Sequence, residues 1–127
     1  MKADSYSNKN AAASFLRLVA SGKVREAYDH HVSADFRHHN AFFRGDRQSL
    51  MRAMEENAAK SPAKLLEVKR TLEDGDYIAV HSLIRQSAQD RGAAAVHIFR
   101  FENDRIAELW DVSQAIPKDS PNEHGMF

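Results

Sequence analysis

Two ionisable residues stand where a plain core strand would carry aliphatic ones. His97 lies in Ala94-Ala95-Val96-His97-Ile98-Phe99-Arg100-Phe101, and Asp111 lies in Ile106-Ala107-Glu108-Leu109-Trp110-Asp111-Val112. A carboxylate or imidazole among apolar neighbours costs free energy unless it is paired or used. Together they are the equipment for moving a proton. A carboxylate between apolar walls such as Phe99 and Leu109 is suited to removing a proton alpha to a carbonyl. A neighbouring imidazole can donate to the enolate oxygen or tune the carboxylate. The plainer alternative for Asp111 is a strand-end carboxylate that bonds a backbone N–H or a surface arginine.

Whether the two share a face depends on the turn between them. A two-residue turn at Asn103-Asp104 needs positive φ at both positions, for which Asp is a weaker choice than Gly. A three-residue loop, Glu102-Asn103-Asp104, needs only one left-handed residue and is the expected form. With side chains alternating along each strand, that loop puts His97, Phe99 and Phe101 on one face with Ala107, Leu109 and Asp111. Arg100, Glu108 and Trp110 fall on the other. A slip of one residue would reverse the arrangement.

A second group lies in Phe36-Arg37-His38-His39-Asn40. In an extended segment adjacent residues point oppositely, so only one of His38 and His39 can face the interior. Phe36 and His38 share one side, Arg37 and His39 the other. His39 also reads as a residue bonded to backbone at a helix exit, and Asn40 as a turn residue, since Asn tolerates left-handed geometry. His81, in Ile78-Ala79-Val80-His81-Ser82-Leu83-Ile84, is compatible with either face. A satisfied interior or interface histidine is its simplest reading, and a ligand-contacting one the alternative. The seven histidines raise the question of a metal. Neither pair, 30–31 or 38–39, has the spacing of three or four that brings ligands to one helix face, so no metal is expected. No phosphate loop or nucleophile elbow appears, and no cofactor is expected.

The elements that must hold these residues are legible from periodicity. Asn8 to Ala20 is helical, with Phe15, Leu18 and Val19 on one face and Gly22 as its stop. A second helix follows over 22–31, with Val24, Ala27 and Tyr28 inward. Ser33 to Gly45 reads as irregular or extended. Asp46 is a plausible N-cap for a third helix to about Lys60, with Leu50, Met51, Met54 and Ala58 inward. Strands are expected over Leu65 to Leu72 and Tyr77 to Gln86, around the hairpin signal Glu73-Asp74-Gly75-Asp76, followed by the last hairpin. Helices followed by strands make an α+β layout, with the sheet curling around the helices to enclose a cavity.

The chain of 127 residues fits a single domain, 1–127, with 1–7 a disordered lead and 115–127 a peripheral tail. Eighteen Lys plus Arg balance eighteen Asp plus Glu, which argues against a general nucleic-acid binder. No apolar run is long enough to span a bilayer and the N-terminus lacks an apolar signal segment, so no membrane partner and a cytoplasmic location are expected. With no cysteine, disulfides, thiolate metal sites and cysteine nucleophiles are excluded.

The order of elements, the His39-Asn40 pair after the second helix and the Trp110-Asp111 pair in the last strand together resemble the SnoaL-like polyketide cyclases of the nuclear transport factor 2-like superfamily. The resemblance runs from about residue 9 to 114. It is carried by Phe36-Arg37-His38-His39-Asn40, Val80-His81-Ser82, Ile98-Phe99-Arg100-Phe101-Glu102-Asn103 and Glu108-Leu109-Trp110-Asp111-Val112-Ser113-Gln114. It implies a cone-shaped, cystatin-like α+β fold: a curved antiparallel sheet wrapped around three helices. It also implies Asp111 as the acid/base of an intramolecular aldol-type step and His39 as a second catalytic residue. His97, His81, Asn40, Phe99 and Leu109 would contact a small hydrophobic carbonyl compound. Arg37, His38 and Ala41 depart from the family's Tyr-Ile-Gln-His-Asn-Pro-like motif. Similar proteins often carry Asp at the position of His97, Gly at Asp104 and His at Leu109. Catalysis would be that of a cofactor-independent cyclase or isomerase. The alternative is a non-catalytic ligand-binding or dimerisation module of the same fold. The mixed apolar and charged face bearing Ile98, Trp110 and Val112 beside Arg100 and Glu108 suits a homodimer.

Overall fold

The computed structural model describes residues 7–127. The expected disordered lead therefore lies outside the described residues, apart from Ser7. That residue is structured: its hydroxyl accepts from the Asn10 N–H at 3.0 Å and caps α1 (Asn8–Ala20). Ala12, Phe15 and Leu16 form the buried stripe of α1, and the chain leaves the helix through Gly22 at φ 85°, a conformation glycine adopts without Cβ strain. α2 (Val24–His31) buries Val24, Ala27 and Tyr28. α3 (Arg47–Lys60) starts at Asp46, whose carboxylate accepts from the Ser49 N–H, and buries Leu50 and Met51.

Five strands form one sheet in the order β1-β5-β4-β3-β2: β1 (Val32–His38), β2 (Leu65–Asp74), β3 (Tyr77–Arg85), β4 (Ala93–Glu102) and β5 (Arg105–Ala115). Strands β2 to β5 run antiparallel in series, while β1 lies parallel to β5. The architecture is α+β, three helices against a curved sheet, as expected. The Ser33–Gly45 segment, read as irregular or extended, holds β1, and its parallel pairing with β5 is the part not legible in the sequence. Its ladder partner is the far end of the chain, so no local turn marks it.

The last hairpin corrects the expected turn. Asn103 and Asp104 sit at φ 52° and 64°, and Glu102 pairs with Arg105, so this is a two-residue turn with both central residues left-handed. Asp tolerates that geometry because its short polar side chain is the next best to Gly and Asn there. A bulge then restores which face each side chain takes. Phe101 pairs with Ile106 while Arg100 pairs with Glu108, leaving Ala107 as the extra residue. His97 pairs directly with Asp111 and Ile98 with Trp110. The shared face is as expected, by a different route: a shorter turn and one inserted residue compensate each other.

The inner face of the sheet carries Ile78, Val80 and Ser82 from β3, Ala95, His97, Phe99 and Phe101 from β4, and Leu109 and Asp111 from β5. All but Asp111 are buried. Phe15 meets Phe99 edge-on at 5.8 Å and Tyr28 at 5.6 Å, joining helices to sheet. Burying a side chain of this size stabilises by roughly 1.5–3 kcal/mol, so this aromatic centre anchors the cone.

Candidate functional site: an acid–histidine pair on the inner face

Val80, His97 and Asp111 occupy one row across β3, β4 and β5, and Ser82, Ala95 and Ser113 occupy the next. His97 is buried and its Nδ1 has no hydrogen-bond partner. Ser82 is wholly buried and its Oγ likewise has none. An unpartnered buried polar atom costs about 1–3 kcal/mol, so two on adjacent rows of one face call for a reason. Burial lowers the His97 pKa below the ordinary imidazole value, opposed by the charge of Asp111. His97 is therefore a neutral imidazole near pH 7, able to donate one hydrogen bond and accept another.

Asp111 is half-buried, and its Oδ2 accepts from the Asn40 side-chain amide at 3.1 Å. Tyr28 adds a phenol to the same interior. Its hydroxyl lies 3.4 Å from the Met54 sulfur. Burial raises its pKa, with Arg47 opposing and Asp111 adding to the rise. Phe99 and Leu109, the expected apolar walls, are fully buried and face each other in the row next to His97 and Asp111.

His39 does not converge on this pair. Its ring lies on the outer face, stacked on Trp110 at 4.9 Å and 7°, and its Nε2 donates to Glu108 Oε2 at 2.6 Å. The expectation of Asp111, His97 and His39 around one cavity is corrected accordingly. Strand alternation decided it: Phe36 and His38 turn inward, Arg37 and His39 outward, which is the pattern in the residues themselves rather than the one inferred from the family motif. The inward His38 is occupied. Its Nδ1 accepts from the Asn40 N–H and its Nε2 donates to the Arg44 carbonyl at 2.6 Å. His81 is on the outer face too, against Arg70 and 5.3 Å from the Phe127 ring. Ser82 and Tyr28 were missed as inner polar groups. Ser82 could have been found once the β3–β4 register was known, whereas Tyr28 reads in sequence only as a core position of its helix.

Outside, Glu108 forms a closed cluster. Its carboxylate accepts from His39 Nε2, from Arg100 Nε at 3.1 Å and from Arg37 Nη2 at 3.3 Å, with its side chain only 8% exposed. Burial alone would raise its pKa, but the hydrogen bonds from Arg37, His39 and Arg100 outweigh that and bring it from 4.5 to about 2. The expected Arg100–Glu108 pairing is thus present within a larger set.

Hollows of about 730 Å³ and 500 Å³ open elsewhere. The first lies among Asp29, Ser33, Arg47 and Arg105, and the second among His81, Val96, Val112 and Met126; neither is lined by Asp111 or His97. Among the described residues no group of three or more His, Asp or Glu is arranged to hold a metal, and no helix is long and apolar enough to cross a membrane.

Comparison with known proteins bears on this arrangement. The SnoaL-like domain family matches residues 12–109. Among curated proteins none matches. A SnoaL-like protein of unknown function from Burkholderia thailandensis superposes with a TM-score of 0.72 at 14% identity, covering 91% of this chain and 100% of that one. An NTF2-like protein of unknown function from Cytophaga hutchinsonii gives 0.69 at 16%, over 90% and 95%. A candidate polyketide cyclase from Bacillus cereus gives 0.70 at 20%, over 82% and 72%. At such identities these likenesses establish the fold.

Proposed function

The chain belongs to the SnoaL-like domain family, and on that premise we propose that it is a cofactor-independent enzyme acting on a small hydrophobic carbonyl compound, an aldol-type cyclase or isomerase with Asp111 as acid/base. The observation that carries the reading is the pair of unpartnered buried atoms, His97 Nδ1 and Ser82 Oγ, on the face that also bears Asp111. Each keeps hydrogen-bonding capacity that a substrate oxygen reaching the inner face would use. The Asp111 carboxylate takes the proton from the carbon alpha to the carbonyl. The electron pair moves onto the carbonyl oxygen, where neutral His97 donates a hydrogen bond to the enolate. In a cyclisation the enolate carbon bonds to a second carbonyl carbon of the same molecule, and protonated Asp111 returns its proton to the resulting alkoxide. An isomerisation returns the proton to a different carbon. His39, on the outer face, takes no part at the reacting atoms.

The binding-module alternative draws on one observation: Phe99 and Leu109, beside the pair, are packed as core. Exchange of alpha protons in D₂O across a panel of small hydrophobic ketones and diketones, followed by NMR, separates the two. Exchange well above the buffer rate supports the enzyme. Binding by native mass spectrometry with exchange at the buffer rate leaves the module.

The quaternary proposal is a homodimer with outer faces packed together. Leu72 and Val112 are 63% and 66% exposed on that face, beside Tyr77 and Trp110. A monomer in light scattering at micromolar concentration would reject it.

A further inference from the structure

The segment that leaves β1 is held at three consecutive residues, each in a different direction. The ring of His38 is tied inward to the Arg44 carbonyl. His39 is tied outward, by Nε2 to Glu108, by its ring to Trp110, and by its N–H to the Leu109 carbonyl at 2.9 Å. Asn40 then reaches Asp111 with its side-chain amide, while its side-chain oxygen accepts from the Phe42 N–H at 2.9 Å. That double use fixes which way the carboxamide points. A flip would set its oxygen against the carboxylate and its NH₂ against an N–H. The Asn40 backbone N–H is already bonded to His38, so the side chain is what meets Asp111.

We propose that His39 is a positioning residue for Asp111, acting through Asn40. The outer-face Glu108 cluster clamps His39 to β5, and the clamp sets where the next residue places its amide. Asn40 bonds Oδ2 of Asp111 and so holds the carboxylate in place on the strand position that pairs with His97. The inference rests on Asp111 being the base, but its first test does not use activity.

In the ¹⁵N-labelled full chain, hydrogen exchange of the Asn40 side-chain NH₂ reports the bond directly. His39→Ala is expected to raise that exchange about 2- to 10-fold, the weight of one hydrogen bond, and His39→Gln, which keeps a donor toward Glu108, to restore most of the protection. Glu108→Gln is the second variant should His39→Ala fail to fold, and is expected to loosen Asn40 in the same direction. Unchanged Asn40 protection in the folded variants overturns the proposal. With a turned-over substrate in hand, His39→Ala should lower kcat about tenfold with KM little changed, as misplacement of a base does. A rise in KM alone overturns positioning. If Asn40 responds as expected but Asp111→Asn keeps full turnover, the base assignment fails and the clamp stands. If Asn40 is indifferent while Asp111→Asn is inactive, the clamp fails and the base stands.

Discussion

Strand β5 presents an acid to each face of the sheet three residues apart, and each acid has a histidine beside it. Outside, Glu108 is surrounded by Arg37, His39 and Arg100, every partner a charge or a donor. Inside, Asp111 has one amide from Asn40 and faces a neutral His97 with an unpartnered nitrogen. Residue type is nearly the same; satisfaction is not. A closed cluster binds the structure together and leaves nothing for a ligand. An open one forgoes stability and leaves bonding capacity for something else. The histidine expected to act chemically belongs to the closed cluster, which shows that proximity in sequence to a functional-looking motif says less than which face a side chain occupies.

The largest expected effect tests the open side. Asp111→Asn keeps shape and the bond to Asn40 but removes the titratable group, and with a turned-over substrate should cost on the order of 10²- to 10⁴-fold in kcat. Its melting temperature should stay close to the parent's; full turnover would make the inner pair as structural as the outer one.

The closed side answers in stability. Glu108→Gln leaves Arg37 without its anion and Arg100 with Glu102 alone, and should destabilise by about 1–3 kcal/mol in urea unfolding. Arg37 is well exposed and can turn to water, which keeps the figure below that of a fully buried pair. A neutral result would mean the cluster is ornamental.

Acid should separate the two sides. The Glu108 pKa is lower folded than unfolded, so its contribution is fully present above about 4.5 and is lost as pH falls toward about 2. Its size is on the order of 1–2 kcal/mol once screening at Arg37 is allowed for. His97 acts earlier. Burial lowers its pKa below 6.5, so below that pH the unfolded chain binds a proton that the folded one resists, and stability falls as pH drops. His31, lowered by burial and by His30, adds to the same slope. Melts from pH 7 to 5 should therefore be flatter in His97→Gln, whereas Glu108→Gln should flatten only the region below about 4.5.

The smallest effect has an inverted sign. Ser82→Ala removes an unpartnered hydroxyl and should be neutral or stabilising by up to about 1 kcal/mol, while weakening binding of any carbonyl ligand that inner-face screening finds. Destabilisation would indicate that the hydroxyl is already satisfied.

The sequence alone determined the helices, the antiparallel strands and the face that His97 shares with Asp111, while their direct pairing came from the turn and bulge. Each rests on local signals: a 3.6-residue stripe in Phe15 and Leu18, a cap at Asp46, alternation on both sides of Asn103-Asp104. Tertiary structure decided the rest. β1 is a strand only because β5, some seventy residues on, offers it an edge. Ala107 is a bulge because the turn is one residue shorter than Asp104 suggested. His39 lies outside because alternation from Phe36 continues to the end of β1, and Glu108 and Trp110 are there to receive it. Ser82 and Tyr28 became inner polar groups only when strand register and helix packing brought them to the face of Asp111. Local periodicity is written into the chain by backbone sterics and side-chain spacing. Which faces meet is settled by long-range pairing, which no short window of residues contains.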